Sequence, residues 1–223
     1  MNQAIGQLLP FAVGVGLSPI PIIAIVLMLA TPRARVNGPA FLLGWVAGLS
    51  LVGGVVLLVA GSIDATGDDG PATWVSVLKL VLGALLLALG VKQWRGRPRD
   101  DAEAALPNWM TTIDHFGPGK ALGFGALLSG ANPKNLLLTI GAAAAIAGTG
   151  IEPGQETIAL AVFVVTGTIG VGGPVIVYFA LGERSRTLLD GLKSWMAANN
   201  AVIMAVLILV IGAKLFGDGI SGL

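Results

Sequence analysis

The sequence predicts an all-α integral membrane protein whose six transmembrane helices form a 3+3 inverted repeat, the first and fourth helices being broken at proline motifs. Three observations predict it. The chain is 55% hydrophobic and 11% charged, with mean hydropathy +0.86. Soluble domains carry about 25% charged residues, so a surface this poor in charge is built for lipid. Charge-poor stretches recur at the length of a membrane span. Proline-bearing breaks fall at matching places in the two halves.

The spans follow in order. They are Met1–Pro32, Val36–Ile63, Gly70–Leu78 continuing past Lys79 to Val91, Ala121–Pro133 continuing past Lys134 to Ile151, Thr157–Gly182 and Ser194–Ala213. Each supplies the ~20 residues that a spanning helix needs. The first and fourth are too long for one straight span, and both contain proline. No basic residue precedes the first apolar stretch, so the N-terminus does not read as a cleaved secretion signal.

Loop charge sets the orientation. Arg33 and Arg35 follow the first span. Lys92, Arg95, Arg97, Arg99 and Lys120 lie between the third and fourth, and Arg184, Arg186 and Lys193 between the fifth and sixth. The other loops carry acid: Asp64, Asp68 and Asp69, then Glu152 and Glu156. The positive-inside rule then gives a multi-pass protein of the inner (plasma) membrane with both termini outside. The chain divides into a first three-helix repeat (1–94), a cytoplasmic linker loop (95–119) and a second three-helix repeat (120–223). Three spans per half is an odd number, so the halves insert with opposite orientation.

Span one breaks at Gly16-Leu17-Ser18-Pro19-Ile20-Pro21 and span four at Ser129-Gly130-Ala131-Asn132-Pro133-Lys134-Asn135. Proline removes a backbone N–H and displaces the carbonyl four residues back. Polar groups freed in lipid must be satisfied or must line a wet cavity. Ser18, Asn132 and Asn135 can satisfy them, or present donors to a substrate. Each half-helix after a break offers a partly positive N-terminus, and Lys134 adds a full charge at one of them. An ammonium in hydrocarbon costs roughly 2.5–3.5 kcal/mol on insertion scales, so one kept beside a helix-breaking proline marks a functional candidate. Paired broken helices in inverted halves point to a central transport site. The plain alternative is that the prolines merely kink packed helices. Lys79 lies near the edge of its span and is read as snorkelling to the interface.

Gly-studded helices follow each break: Gly44, Gly48, Gly53 and Gly54 in the first half, Gly167, Gly170, Gly172 and Gly173 in the second. Gly44 and Gly48 form a GxxxG pattern, which serves packing within the bundle or, alternatively, a dimer face. Gly172-Gly173-Pro174 is expected to break span five as a hinge. Trp45, Trp74, Trp94, Trp109 and Trp195 mostly fall near span ends, as in an aromatic belt.

Other classes are disfavoured by what the chain lacks. It has no cysteine and one histidine, His115, so no thiolate or multi-histidine metal site is expected, and no cofactor. A net charge of +1 argues against a nucleic-acid partner. No nucleophile–base–acid constellation appears, so an enzyme is not expected. The predicted spans hold no Asp or Glu, which disfavours a bare cation exporter. A lysine, a serine, asparagines and helix N-termini instead suit a phosphate, sulfate or carboxylate.

Ser18-Pro19-Ile20-Pro21-Ile22-Ile23, with Pro32-Arg33-Ala34-Arg35 and Phe41-Leu42-Leu43-Gly44-Trp45, resembles the opening of the peptidoglycolipid- or sulfolipid-addressing proteins of actinobacteria. Pro107-Asn108-Trp109-Met110, Ile113-Asp114 and Asn132-Pro133-Lys134-Asn135-Leu136 resemble the second half of that family. The likeness covers nearly the whole chain. The family is similar to the larger lysine-exporter superfamily, which shares the Asn-Pro-Lys block and the inverted repeat. The resemblance implies an inner-membrane protein that helps move complex glycolipids or their precursors towards the cell envelope. It carries Asn132, Pro133, Lys134 and Asn135 onto the second block, and Ser18, Pro19 and Pro21 onto the first.

The expected function is export or flipping of an anionic, lipid-linked envelope precursor, with membrane lipid as partner and a homodimer or an envelope lipid-export complex as the assembly. One alternative is a small-solute exporter for an amino acid or organic anion. Another is a non-transporting scaffold in which Lys134 bridges carbonyls freed by Pro133. Proton exchange would require Lys134 itself to titrate. In the linker, Arg95 to Asp101 reads as solvated. Pro107 to Phe116 reads as a short amphipathic helix, with Leu106, Trp109, Met110, Ile113 and Phe116 lying on the inner leaflet.

Overall fold

The computed structural model describes residues 1–64, 72–96 and 108–222, and every regular element among them is helical. The helices are α1 (Asn2–Gly16), α2 (Pro19–Leu29), α3 (Ala34–Asp64), α4 (Ala72–Arg95), α5 (Pro118–Ala126), α6 (Pro133–Ala147), α7 (Pro153–Leu181) and α8 (Ser185–Ile220). A 3-10 segment covers Asn108–His115, a π turn Leu127–Ala131 and a second 3-10 turn Gly182–Arg184. Four helices, α2, α5, α6 and α7, start on a proline. That position loses nothing, because the first N–H groups of a helix have no intrahelical acceptor.

Both predicted breaks are present. Between α1 and α2 the axis bends by 50° at Leu17 and Ser18. Between α5 and α6 the helix widens before it stops, the Asn132 N–H reaching back five residues to the Leu127 carbonyl at 3.1 Å.

Three described stretches are long and apolar enough to cross a membrane: Ala34–Ser62, Trp74–Arg95 and the run Pro153–Ile220, which holds both α7 and α8. The bent α1–α2 pair counts as a fourth if taken as one span. The expected six are not reached for two physical reasons. The π turn cuts the fourth predicted span into pieces, and α6 alone has 15 residues, roughly 22 Å of helix. The fifth and sixth merge by composition, although Gly182, at φ 53°, ends α7. Large apolar side chains such as Leu51, Leu58, Val165 and Ile176 face outward, as they do on a surface wetted by lipid rather than water.

The helices pack in crosswise pairs. The longest contact runs between α4 and α8. α1 lies on α7 and α6, α5 on α3, α2 on α8 and α7, and α6 on α3 and α4. Glycine sets the closest approaches. A Cβ on Gly44 would overlap the Leu122 carbonyl, and one on Gly125 the Phe41 carbonyl, so α3 and α5 touch through backbone. A Cβ on Gly170 would overlap the Gly16 carbonyl, which brings α7 against the end of α1. Gly44 and Gly48 thus serve packing within the bundle, Gly48 sitting against Ser129 and Ala126.

Three expectations are corrected. α7 runs unbroken through Gly172, Gly173 and Pro174, because an interior proline forfeits one hydrogen bond and neighbouring helices hold the rest. Trp45 is not a belt residue: it is fully buried and stacks on Phe41 with ring centroids 6.2 Å apart. Nor do Ile113 and Phe116 lie out on a leaflet. Ile113 is fully buried in the core, Phe116 packs edge-on against Phe124, and the Asn37 side chain donates to the Phe116 carbonyl at 2.9 Å. Asp68, Asp69, Arg97, Arg99, Leu106 and Pro107 lie outside the described residues, as do the side chains of Trp109 and Met110.

Candidate functional site

The two breaks meet. α1 ends and α2 begins beside the junction of the π turn with α6, and there the polar side chains of both motifs close on one another. Lys134 is 4% exposed, Ser18 3%, and Asn135 fully buried. The Lys134 ammonium donates to the Gly14 carbonyl and to Ser18 Oγ, both at 2.7 Å. Ser18 Oγ lies 2.9 Å from Asn135 Oδ1 and 2.7 Å from the Val15 carbonyl, and its one hydrogen serves one of them at a time. Asn135 completes the cluster by donating from Nδ2 to the Leu128 carbonyl at 2.9 Å.

The contacts to backbone each answer a carbonyl that a break leaves over. α1 presents unpaired carbonyls at its last turn, the partly negative end of its dipole. Pro19 has no N–H to offer Val15, so the Ser18 hydroxyl and, at 3.3 Å, the Ser18 N–H turn to that carbonyl. Lys134 takes the Gly14 carbonyl and places its charge against the same end. In the second half the π register aims the Leu128 carbonyl at residue 133, a proline, and Asn135 supplies the missing donor. The carbonyl that Pro133 leaves over is therefore held by Asn135, whereas Lys134 serves the opposite half of the chain.

Asn132 belongs to the same turn with a different task. Its Oδ1 accepts from the Lys134 N–H at 3.1 Å, which makes it the N-cap of α6. Ser18 stands at the corresponding place of α2 without capping it, its hydroxyl being committed to the cluster. Thr139 Oγ1 donates to the Asn135 carbonyl at 2.8 Å and ties the cluster one turn further into α6.

An ammonium has three N–H groups, and two are engaged here by neutral acceptors. No carboxylate pairs with Lys134 among the described residues. When the side chain is protonated, its charge is held by a carbonyl, a hydroxyl and a helix C-terminus, with no counter-charge among the described residues. An anion reaching this point would meet an uncompensated charge beside the N-terminus of α6.

Ser18 thus touches both Lys134 and Asn135, with Asn132 capping the same turn and Pro19 and Pro133 setting the two starts. Pro21 lies in the first turn of α2 and is buried. Gly172, Gly173 and Pro174 stand apart: a Cβ on Gly172 would meet only Thr168, and one on Gly173 open space. Lys79, half-buried, reaches the C-terminal end of α6 at Gly148, near Asp218 and Lys214 on the last turns of α8. That arrangement places a cation at the negative end of α6.

Sequence reasoning missed two things. The Gly14 carbonyl carries no side-chain signature. A cleft of about 380 Å³ at the far end of α2 is lined by both Arg35 and Arg186, and the repeated Arg-x-Arg of Arg33–Arg35 and Arg184–Arg186 was the available signal.

A family model described as Sap, sulfolipid-1-addressing protein, matches residues 8–221. No curated protein and no solved structure matches the chain.

Proposed function

The chain belongs to the sulfolipid-1-addressing protein family, and from that premise we propose that it is an inner-membrane exporter or flippase-like transporter of an anionic, lipid-linked envelope precursor. The observation that carries the reading is the Lys134 ammonium, buried at the meeting of two broken helices and held only by neutral groups of the opposite half. Lys134 acts as a latch. While it grips Gly14 and Ser18, α1 and α6 stay together and the site is closed. A phosphate, sulfate or carboxylate headgroup that takes over the ammonium frees the end of α1, and the halves rock apart. Binding and opening are then one event, because the ligand competes for the donors that keep the site shut.

The six-span, 3+3 inverted reading is supported by the helix pairs. If α1 corresponds to α5, α2 to α6, α3 to α7 and α4 to α8, then α1 on α7 answers α5 on α3, α2 on α8 answers α6 on α4, and α3 on α6 answers α7 on α2. The basic loops support both termini outside. Membership of the lysine-exporter superfamily is part of the same proposal and rests on the Asn132-Pro133-Lys134 block. No step here calls for an enzyme.

One observation favours a second reading. Lys134, Ser18 and Asn135 already satisfy backbone groups of the protein, which a scaffold inside a lipid-export machine would need just as much. Lipid mass spectrometry of inner-membrane and outer-envelope fractions, with and without the chain, tests the first reading. An anionic lipid that accumulates inside and is depleted outside supports it. Lys134→Ala and Lys134→Arg then separate the two: export lost in Lys134→Ala at normal protein level and unchanged thermal stability supports a ligand at the ammonium, loss that tracks lowered stability supports the scaffold, and export retained in both overturns a ligand at Lys134.

A further inference from the structure

We infer that the cleft at the end of α2 and α7 is a docking site for the phosphate or sulfate ester headgroup of an anionic membrane lipid, with Arg35 and Arg186 as its ligands. The inference rests on the reading that this protein handles such a lipid, and it concerns a place distinct from Lys134. α2 separates the two sites by its own 11 residues, roughly 16 Å.

The cleft has a volume of about 380 Å³ and is lined by Thr31, Arg35, Tyr178, Phe179, Glu183 and Arg186, among others. Its two guanidinium groups come from turns about 150 residues apart in the chain, Arg35 from the start of α3 and Arg186 from the start of α8. Arg35 has no ion pair among the described residues. Arg186 is held by Glu183 at 3.3 Å, with both side chains mostly exposed. Such a pair contributes little and yields readily to a competing anion. A guanidinium fork matches the oxygens of a phosphate or sulfate, and a tetrahedral oxyanion has oxygens enough for two arginines that line one cleft, where a carboxylate has only two.

The surroundings say that the anion is attached to a lipid. Phe179 lines the cleft and is 53% exposed. Below it on the same helix Ile176, Ile169 and Val165 are each about two-thirds exposed, at spacings that keep one face. A basic pocket therefore opens at the top of a continuous apolar track. A soluble anion needs only the pocket, whereas a lipid with its headgroup between the arginines lays its chains on the track. Arginines at the end of apolar helices also stand at the headgroup level of a bilayer.

The test uses the purified full chain in neutral detergent, read by native mass spectrometry against short-chain phosphatidic acid, a short-chain sulfated glycolipid and phosphatidylcholine, with inorganic phosphate and sulfate as competitors. Binding of both anionic lipids and not of phosphatidylcholine is expected. Arg35→Gln and Arg186→Gln should each weaken it about ten-fold, the loss of one charge-assisted hydrogen-bonding group. Glu183→Gln should tighten it several-fold by releasing Arg186, which gives a gain that a misfolded variant cannot mimic. Lys193→Gln, a basic residue that lines neither site, should leave it unchanged. Equal binding of phosphatidylcholine, displacement by millimolar inorganic phosphate or sulfate, or loss in Lys193→Gln with none in the arginine variants would each overturn the docking site. Binding that follows the arginines in a protein whose removal leaves lipid distribution unaltered keeps the site and overturns the transport reading.

Discussion

The Lys134 ammonium meets the Gly14 carbonyl at 2.7 Å, joining the first turn of α6 to the last turn of α1 across 120 residues of sequence. The contact spans the two halves of the chain. It uses a charge where a neutral donor would satisfy the carbonyl equally well. A neutral donor would only hold the halves together. On the proposed transport reading, a charged one also gives an anion a reason to part them.

Lys134→Met keeps an unbranched side chain one atom shorter and removes its donors. The Gly14 carbonyl and Ser18 Oγ lose a partner in a buried place, which should lower stability by about 1–3 kcal/mol. Thermal unfolding in detergent checks this. If the latch reading holds, lipid export falls at unchanged protein level. A variant as stable as the parent would mean that the carbonyl finds another donor, and would remove the ammonium from the closed state.

Asn135→Asp puts a carboxylate where Oδ1 now faces Ser18 and takes away the donor that holds the Leu128 carbonyl. The charge at Lys134 becomes neutralised from within. Export of an anionic lipid should fall below the level of Asn135→Ser, which also loses the Leu128 contact but adds no charge. Comparing the two in the lipid-distribution assay isolates electrostatics from packing. Equal activity in both would mean that net charge at this point does not matter.

Much of this site was legible in the sequence because proline and a lysine inside an apolar run are conspicuous. Pro19 and Pro133 marked both breaks, and Ser18, Asn132 and Asn135 were the nearby groups able to answer them. What each one answers was hidden. Lys134 binds a backbone carbonyl of α1, and a carbonyl leaves no trace in the residue pattern. The π turn was equally silent, since it changes the acceptor of Asn132 by one residue without changing composition. Pro174 misled for the opposite reason: its residue type signals a break, but packing against other helices keeps α7 continuous. Trp45 was read by its place near a span end, yet its neighbours Phe41 and the glycine contact of α3 with α5 draw it inward. The pairing of Arg35 with Arg186 depends on α2 lying against α7 and α8, a tertiary fact that charge counting cannot supply.

Gly170→Ala sets a methyl against the Gly16 carbonyl, a backbone atom at the very break between α1 and α2. The helices must separate or the break must shift, at a cost of about 1–3 kcal/mol. Gly173→Ala, three residues on, meets nothing within 4 Å and should be neutral or stabilising by up to about 1 kcal/mol through helix propensity. Melting temperatures of the two variants against the parent decide it. A tolerated Gly170→Ala would contradict the close approach of α7 to the end of α1.

The absence of cysteine makes the proposed topology open to a background-free test. Single cysteines at Gln3 before the core of α1, at Gln155 in the first turn of α7 and at Arg184 between α7 and α8 all stand at exposed positions. With six spans and both termini outside, an impermeant maleimide added to intact cells or spheroplasts should label Gln3→Cys and Gln155→Cys. It should reach Arg184→Cys only after the membrane is opened. The arginine-bearing turn is then inside, which puts the Arg35–Arg186 cleft at the leaflet where a newly made lipid would first meet the protein. Labelling of Arg184→Cys from outside would invert the molecule and move that cleft to the receiving leaflet. Labelling of Gln3→Cys and Arg184→Cys from the same side would remove the odd number of crossings between them, and with it the inverted repeat.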